Sequence, residues 1–139
     1  MSGRTITLNG LSLKLDDIVR VARHGDAVRL SEDAVRAVGR AAALVESWAD
    51  SDRVIYGITT GFGDLASVRI SREDRAALQE NLLRSHACGV GEPYPVDVTR
   101  AIMLLRINTL SRGHSGISLR TLSGLVELLN AGIHPLIPC

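Results

Sequence analysis

Apolar residues along this chain recur mostly at intervals of three and four, and only briefly in alternation. The alternating stretch is TITLNG, Thr5 to Gly10, where threonine and apolar side chains take turns before Asn-Gly. It predicts a short strand running into a turn. Leu13, Ile18, Val19 and Val21 or Ala22 then fall at roughly helical spacing within 11–23, and Gly25 closes that helix. A short extended piece, AVRL, precedes Ser31. The Ser31 hydroxyl can cap a helix reaching about Ala49, with Glu32 and Asp33 in its first turn facing the positive end of the dipole.

Between Asp52 and Ile70 the helical period disappears. RVIYG is compatible with extended chain, and YGITTGFGD packs three glycines into nine residues, which predicts a loop with little stiffness of its own. Ser71 with Asp74 resembles a capping box, and the helix behind it carries Leu78, Leu82 and Leu83 towards His86. CGVGEPYP breaks that helix with two glycines and two prolines. An apolar helix follows over about 96–112, stopped at Gly113. Ser118 caps a last one through Leu119, Leu122, Leu125, Val126 and Leu129 to Asn130-Ala131-Gly132. IHPLIPC is extended and apolar, and with nothing to pack against it reads as a cut rather than a finish. The leucine-rich faces of the last two helices are expected to pack against further segments or other subunits.

Composition narrows the picture. The 139 residues are enough for one ordinary domain with a sizeable core. Only 3% are aromatic, so Leu, Val, Ile and Ala must build that core, a diet that suits helices. Charge is nearly balanced at +1 with no basic block, which gives no reason to expect nucleic acid or an anionic membrane. No export signal or membrane span is legible, and Cys88 and Cys139 have no metal or redox spacing. Both read as reduced thiols in a cytoplasmic protein.

Two side chains invite a chemical reading. Tyr56 is either a half-buried tyrosine at a strand end or a phenol on a mobile lid, with Gly57, Gly61 and Gly63 letting the lid open and close. His86, ahead of two glycines, is either a satisfied helix-end residue or a ligand-binding imidazole. No His/Cys cluster or H-E-x-x-H accompanies it, so no metal is expected. His114-Ser115 lacks a nucleophile elbow, His134 is most simply a connector, and GVGEP matches no phosphate-binding fingerprint. Composition and spacing leave both alternatives open.

Four longer motifs decide further. YGITTGFGDLASVRI, LQENLLRSHACGVGEP, RINTLSRGHSGIS and LLNAGIHPLIP, in this order and at these intervals, resemble the N-terminal part of the histidine ammonia-lyase family. That family is the bacterial branch of the aromatic amino-acid ammonia-lyases and aminomutases. The resemblance covers nearly the whole chain and is densest from Val54 to Pro138.

The resemblance implies a mainly helical fold with minor strands, the N-terminal lobe of a fumarase/aspartase-like helical bundle. Residues 1–95 would form a lid-bearing lobe and 96–139 the start of the central helical region, in a homotetramer. It makes Tyr56 the acid/base on a lid formed with Gly57, Gly61, Phe62 and Gly63, and His86 a substrate-pocket residue. It also implies 4-methylideneimidazole-5-one (MIO), formed from an internal Ala-Ser-Gly, as electrophile, and no external cofactor. This sequence contains no Ala-Ser-Gly, so its residues alone are expected to be inactive. The Ser85-His86 pair and HACGVG point to L-histidine, converted to trans-urocanate and ammonia. RSH with RINTLSRGHS also resembles tyrosine aminomutases, so a tyrosine or phenylalanine lyase or aminomutase stands as the alternative. A non-catalytic binding or assembly module is the third.

Overall fold

In the computed structural model, which describes residues 4–71 and 73–139, Thr5–Leu8 (β1) and Ala27–Leu30 (β2) pair in parallel, with Ile6 opposite Val28 and Leu8 opposite Leu30. A parallel pair needs a crossover. Leu15–His24 (α1) supplies it. Asn-Gly after β1 therefore closes no hairpin. The Asn9 carboxamide oxygen accepts from the backbone N–H groups of Leu11 and Ser12, both at 2.9 Å, and turns the chain towards α1. This turn takes Leu11 to Lys14 out of the expected helix and leaves Leu11 exposed. Gly25 ends α1 in the left-handed region at φ 73°.

Glu32–Ala49 (α2) starts where Ser31 Oγ accepts from the Ala34 N–H at 3.1 Å. Asp74–His86 (α3), Val96–Leu110 (α4) and Leu119–Asn130 (α5) follow, the last capped by Ser118 Oγ on the Thr121 N–H at 3.1 Å. At α3, Ser71 Oγ accepts from the Asp74 N–H at 3.1 Å and donates to its carboxylate at 2.7 Å, so the box closes side chain to side chain.

One core joins these pieces. Ile6, Leu8, Val21, Val28 and Val38 meet Met103, Leu104, Ile107 and Leu110 of α4 and Leu122, Val126 and Leu129 of α5. The parts expected on either side of residue 95 share this cluster. The leucine-rich faces expected outside are thus largely the core itself; Val98, Ile102 and Leu105 on α4 and Leu128 on α5 remain exposed.

Arg100 is buried beside the core, 8% exposed. Its guanidinium donates to the Val21 carbonyl in the last turn of α1 (Nη2, 2.9 Å; Nε, 3.3 Å) and to the Leu129 carbonyl in the last turn of α5 (Nη1, 3.1 Å). Asn130 reaches β2, its Oδ1 accepting from the Val28 N–H at 2.8 Å and its Nδ2 donating to the Val28 carbonyl at 2.9 Å. The apolar tail is partly engaged too. Tyr94 N–H donates to the Ile137 carbonyl at 2.8 Å and Cys139 N–H to the Glu92 carbonyl at 3.0 Å. α3 contributes no residue to the core and has no fully buried side chain.

Candidate active site

The glycine-rich segment folds on itself far more than its composition predicts. Gly61 N–H donates to the Val68 carbonyl at 3.2 Å and Ile70 N–H to the Thr59 carbonyl at 2.9 Å, forming an antiparallel bridge between Thr60 and Arg69. A 3₁₀ turn, Gly63–Leu65, lies between them. Gly57 adopts φ 73°, the left-handed region that disfavours other residues. Gly61 needs space instead: a Cβ there would sit 2.6 Å from Leu65 Cβ. These two glycines are required by shape, whatever mobility they also give.

Tyr56 stands on the outside of this loop, 63% exposed, its ring meeting Phe62 edge to face with centroids 6.0 Å apart. Phe62, Gly63 and Leu65 form one wall of an open groove of about 490 Å³, and Leu78, Asn81, Leu82, Ser85 and His86 of α3 form the other. The structure thus brings Phe62, Gly63 and His86 to one groove. Tyr56 is linked to it through Phe62 rather than lining it.

His86 occupies the last position of α3, exposed. Its Nδ1 lies 2.9 Å from the Leu82 carbonyl oxygen and 3.0 Å from Ser85 Oγ. A carbonyl oxygen only accepts, so Nδ1 carries a proton. In the neutral ring Nε2 then presents a lone pair, a hydrogen-bond acceptor for a ligand in the groove. The wall residues Asn81, Leu78 and Leu82 escape sequence reasoning except as a leucine spacing, because that spacing does not tell a groove from a core. Among the described residues, no cluster of His, Cys, Asp or Glu is arranged to hold a metal ion, and no helix is long and apolar enough to cross a membrane. Cys88 and Cys139 are free and exposed.

The fold of this lobe is shared with enzymes of solved structure whose names place them on amino acids and related compounds. The ergothioneine-degrading enzyme ergothionase of Treponema denticola superposes with a TM-score of 0.90 at 36% identity, covering 96% of this chain and 27% of that one. Tyrosine aminomutase from Streptomyces globisporus gives 0.90 at 34% identity, over 96% of this chain and 26% of that one. A histidine ammonia-lyase of Streptococcus pyogenes serotype M49 is 53% identical over 135 residues, 97% of this chain. The profile of the family described as aromatic amino acid lyase matches residues 13–139. The chain belongs to the aromatic amino acid lyase family, whose members include carbon–nitrogen lyases that release ammonia. It spans about a quarter, 26%, of the length of the Streptococcus relative.

Proposed function

We propose that these residues form the N-terminal, lid-bearing part of a histidine ammonia-lyase, which deaminates L-histidine non-oxidatively to trans-urocanate and ammonia. The observation that carries this reading is the groove in which the Tyr56–Phe62 loop faces the α3 wall ending in His86. The Tyr56 phenol serves as acid/base, taking the proton from the substrate carbon adjacent to the one that bears the amine, so that the C–H and C–N bonds give way to a carbon–carbon double bond and ammonia. His86, its Nδ1 proton committed to Leu82, accepts from a ring N–H of the substrate at Nε2. Identity favours histidine, at 53% to the Streptococcus enzyme against 34% to the tyrosine aminomutase.

MIO would supply the electrophile that activates the substrate for loss of ammonia. These residues cannot generate it, because the 139 positions contain no Ala-Ser-Gly. Polypeptide beyond residues 1–139, on the same or a companion chain, supplies it in this reading. The exposed Val98, Ile102 and Leu105 of α4 are the kind of surface that such polypeptide, or other subunits of a homotetramer, would cover. The two free thiols fit a cytoplasmic setting. A tyrosine or phenylalanine lyase or aminomutase is the second reading, supported by the 0.90 superposition on the tyrosine aminomutase.

The test is urocanate formation from L-histidine, followed by its ultraviolet absorbance, in protein expressed at the full length of the relatives. Tyr56→Phe is expected to abolish turnover with the fold intact. Normal turnover in that variant removes Tyr56 from the chemistry, and turnover of tyrosine in place of histidine selects the second reading.

A further inference from the structure

A base that acts by proton transfer must be placed before the substrate arrives, and Tyr56 has little of its own to place it. Its ring is mostly exposed, its phenol oxygen has no hydrogen bond among the described residues, and the next residue is Gly57 in a left-handed conformation. The backbone around it is nevertheless held, the Ile55 carbonyl by the N–H groups of Ile58 and Thr59 at 3.1 and 3.0 Å, and the N–H groups of Ile55 and Gly57 by two side chains. Ile55 N–H donates to Thr59 Oγ1 at 2.8 Å, and Gly57 N–H donates to Thr60 Oγ1 at 3.3 Å. Both threonines are buried, at 0% and 2% exposure. Each hydroxyl is itself used as a donor, Thr59 to the Arg53 carbonyl at 2.6 Å and Thr60 to the Gly61 carbonyl at 3.0 Å.

We infer that Thr59 and Thr60 are positioning residues for Tyr56, clamping the backbone before and after it so that the phenol is presented on a preformed loop. The inference rests on the acid/base role proposed above for Tyr56. The clamp is anchored outside the turn it holds. The Thr59 carbonyl accepts from Ile70 N–H, and Thr60 pairs with Arg69, which donates to Asp52 at 2.7 Å. A threonine doublet in the middle of a glycine-rich loop is thereby explained. Valine has threonine's shape but no hydroxyl, so it would leave the Ile55 and Gly57 N–H groups without these acceptors and let the backbone turn at Gly57. Serine keeps the acceptor. A displaced catalytic group lowers the rate of the bound complex more than it weakens binding.

The full-length enzyme carrying Thr59→Val with Thr60→Val should lose turnover of L-histidine by about tenfold to a hundredfold in kcat. KM should stay within about twofold of the parent, the split expected when transition-state placement rather than binding is lost. Thr59→Ser with Thr60→Ser should restore most of the rate. Amide hydrogen exchange supplies a readout that needs no activity: protection of Ile55 and Gly57 should vanish in the valine variant and persist in the serine one, with α4 and α5 protection unchanged. A valine variant with parent kcat overturns the inference while leaving Tyr56's role intact. Turnover retained in Tyr56→Phe overturns both. Loss of protection across α4 and α5 as well would make the threonines fold-wide structural residues and also defeats the proposal.

Discussion

Replacing Arg100 with methionine removes a buried cation whose neutralisation comes from two helix ends rather than from a carboxylate. No acidic partner contacts its guanidinium among the described residues; its donors go to the Val21 and Leu129 carbonyls. Each helix carries about half an elementary negative charge at its C-terminus, so two of them sum to about one, enough to balance the guanidinium. Methionine keeps the apolar stem but leaves the Val21 carbonyl without its donor, and the Leu129 carbonyl with only backbone N–H groups such as that of Gly132 at 3.2 Å. The orphaned Val21 acceptor costs about 1–3 kcal/mol, and the lost charge-assisted bond to Leu129 adds about 1.5 kcal/mol. With partial recovery from the methionine packing, the expected loss is about 3 kcal/mol. For a domain of this size that lowers Tm by about 10 °C.

Urea unfolding of the chain followed by circular dichroism at helical wavelengths measures the change directly. Arg100→Lys separates charge from geometry, because one ammonium cannot fork to carbonyls on both α1 and α5. Its loss should be intermediate, about 1–2 kcal/mol. A methionine variant within about 0.5 kcal/mol of the parent, the range of ordinary surface changes, would refute the neutralisation argument. So would a lysine variant as stable as arginine.

Asn130→Ala should cost about 1–3 kcal/mol in the same unfolding assay, since both its bonds to the Val28 peptide are lost together. Gly61→Ala forces a Cβ onto Leu65 and should destabilise the loop by about 1–3 kcal/mol, read as faster exchange of the Ile70 amide while α4 protection holds. His86→Leu in the full-length enzyme should lower kcat/KM for L-histidine by about tenfold to a hundredfold, the equivalent of one strong hydrogen bond. An equal loss for tyrosine and phenylalanine would make His86 structural.

Local chemistry is what the sequence displays best. The caps at Ser31 and Ser118, the left-handed stops at Gly25 and Gly132, and the leucine face of α5 follow from residues within a turn of one another. Pairing is harder. Asn-Gly after β1 carries a hairpin signal, and only the distant partner β2, brought round by α1, makes the sheet parallel. The loop of residues 52–70 reads as slack because glycine counts are visible in a string, whereas the burial of two threonine hydroxyls is a three-dimensional fact. Arg100 in an apolar helix looks like an ordinary surface arginine until its two carbonyl partners, 79 and 29 positions away, are seen. Of the candidate site, Tyr56 and His86 are named by family motifs; that Phe62 touches the Tyr56 ring and lines the same groove as His86 is legible only in space.

A two-stranded sheet has little but edges, and exposed edges recruit other strands. Here the Asn130 carboxamide occupies both hydrogen-bonding groups of Val28 as a third strand would, yet it is a single side chain on a helix and cannot propagate a ladder. The sheet is therefore terminated rather than merely short. For another chain to add a strand at β2, α5 would first have to come off the core. Resistance to edge-to-edge aggregation is in this way set by the same helix packing that holds the lobe together.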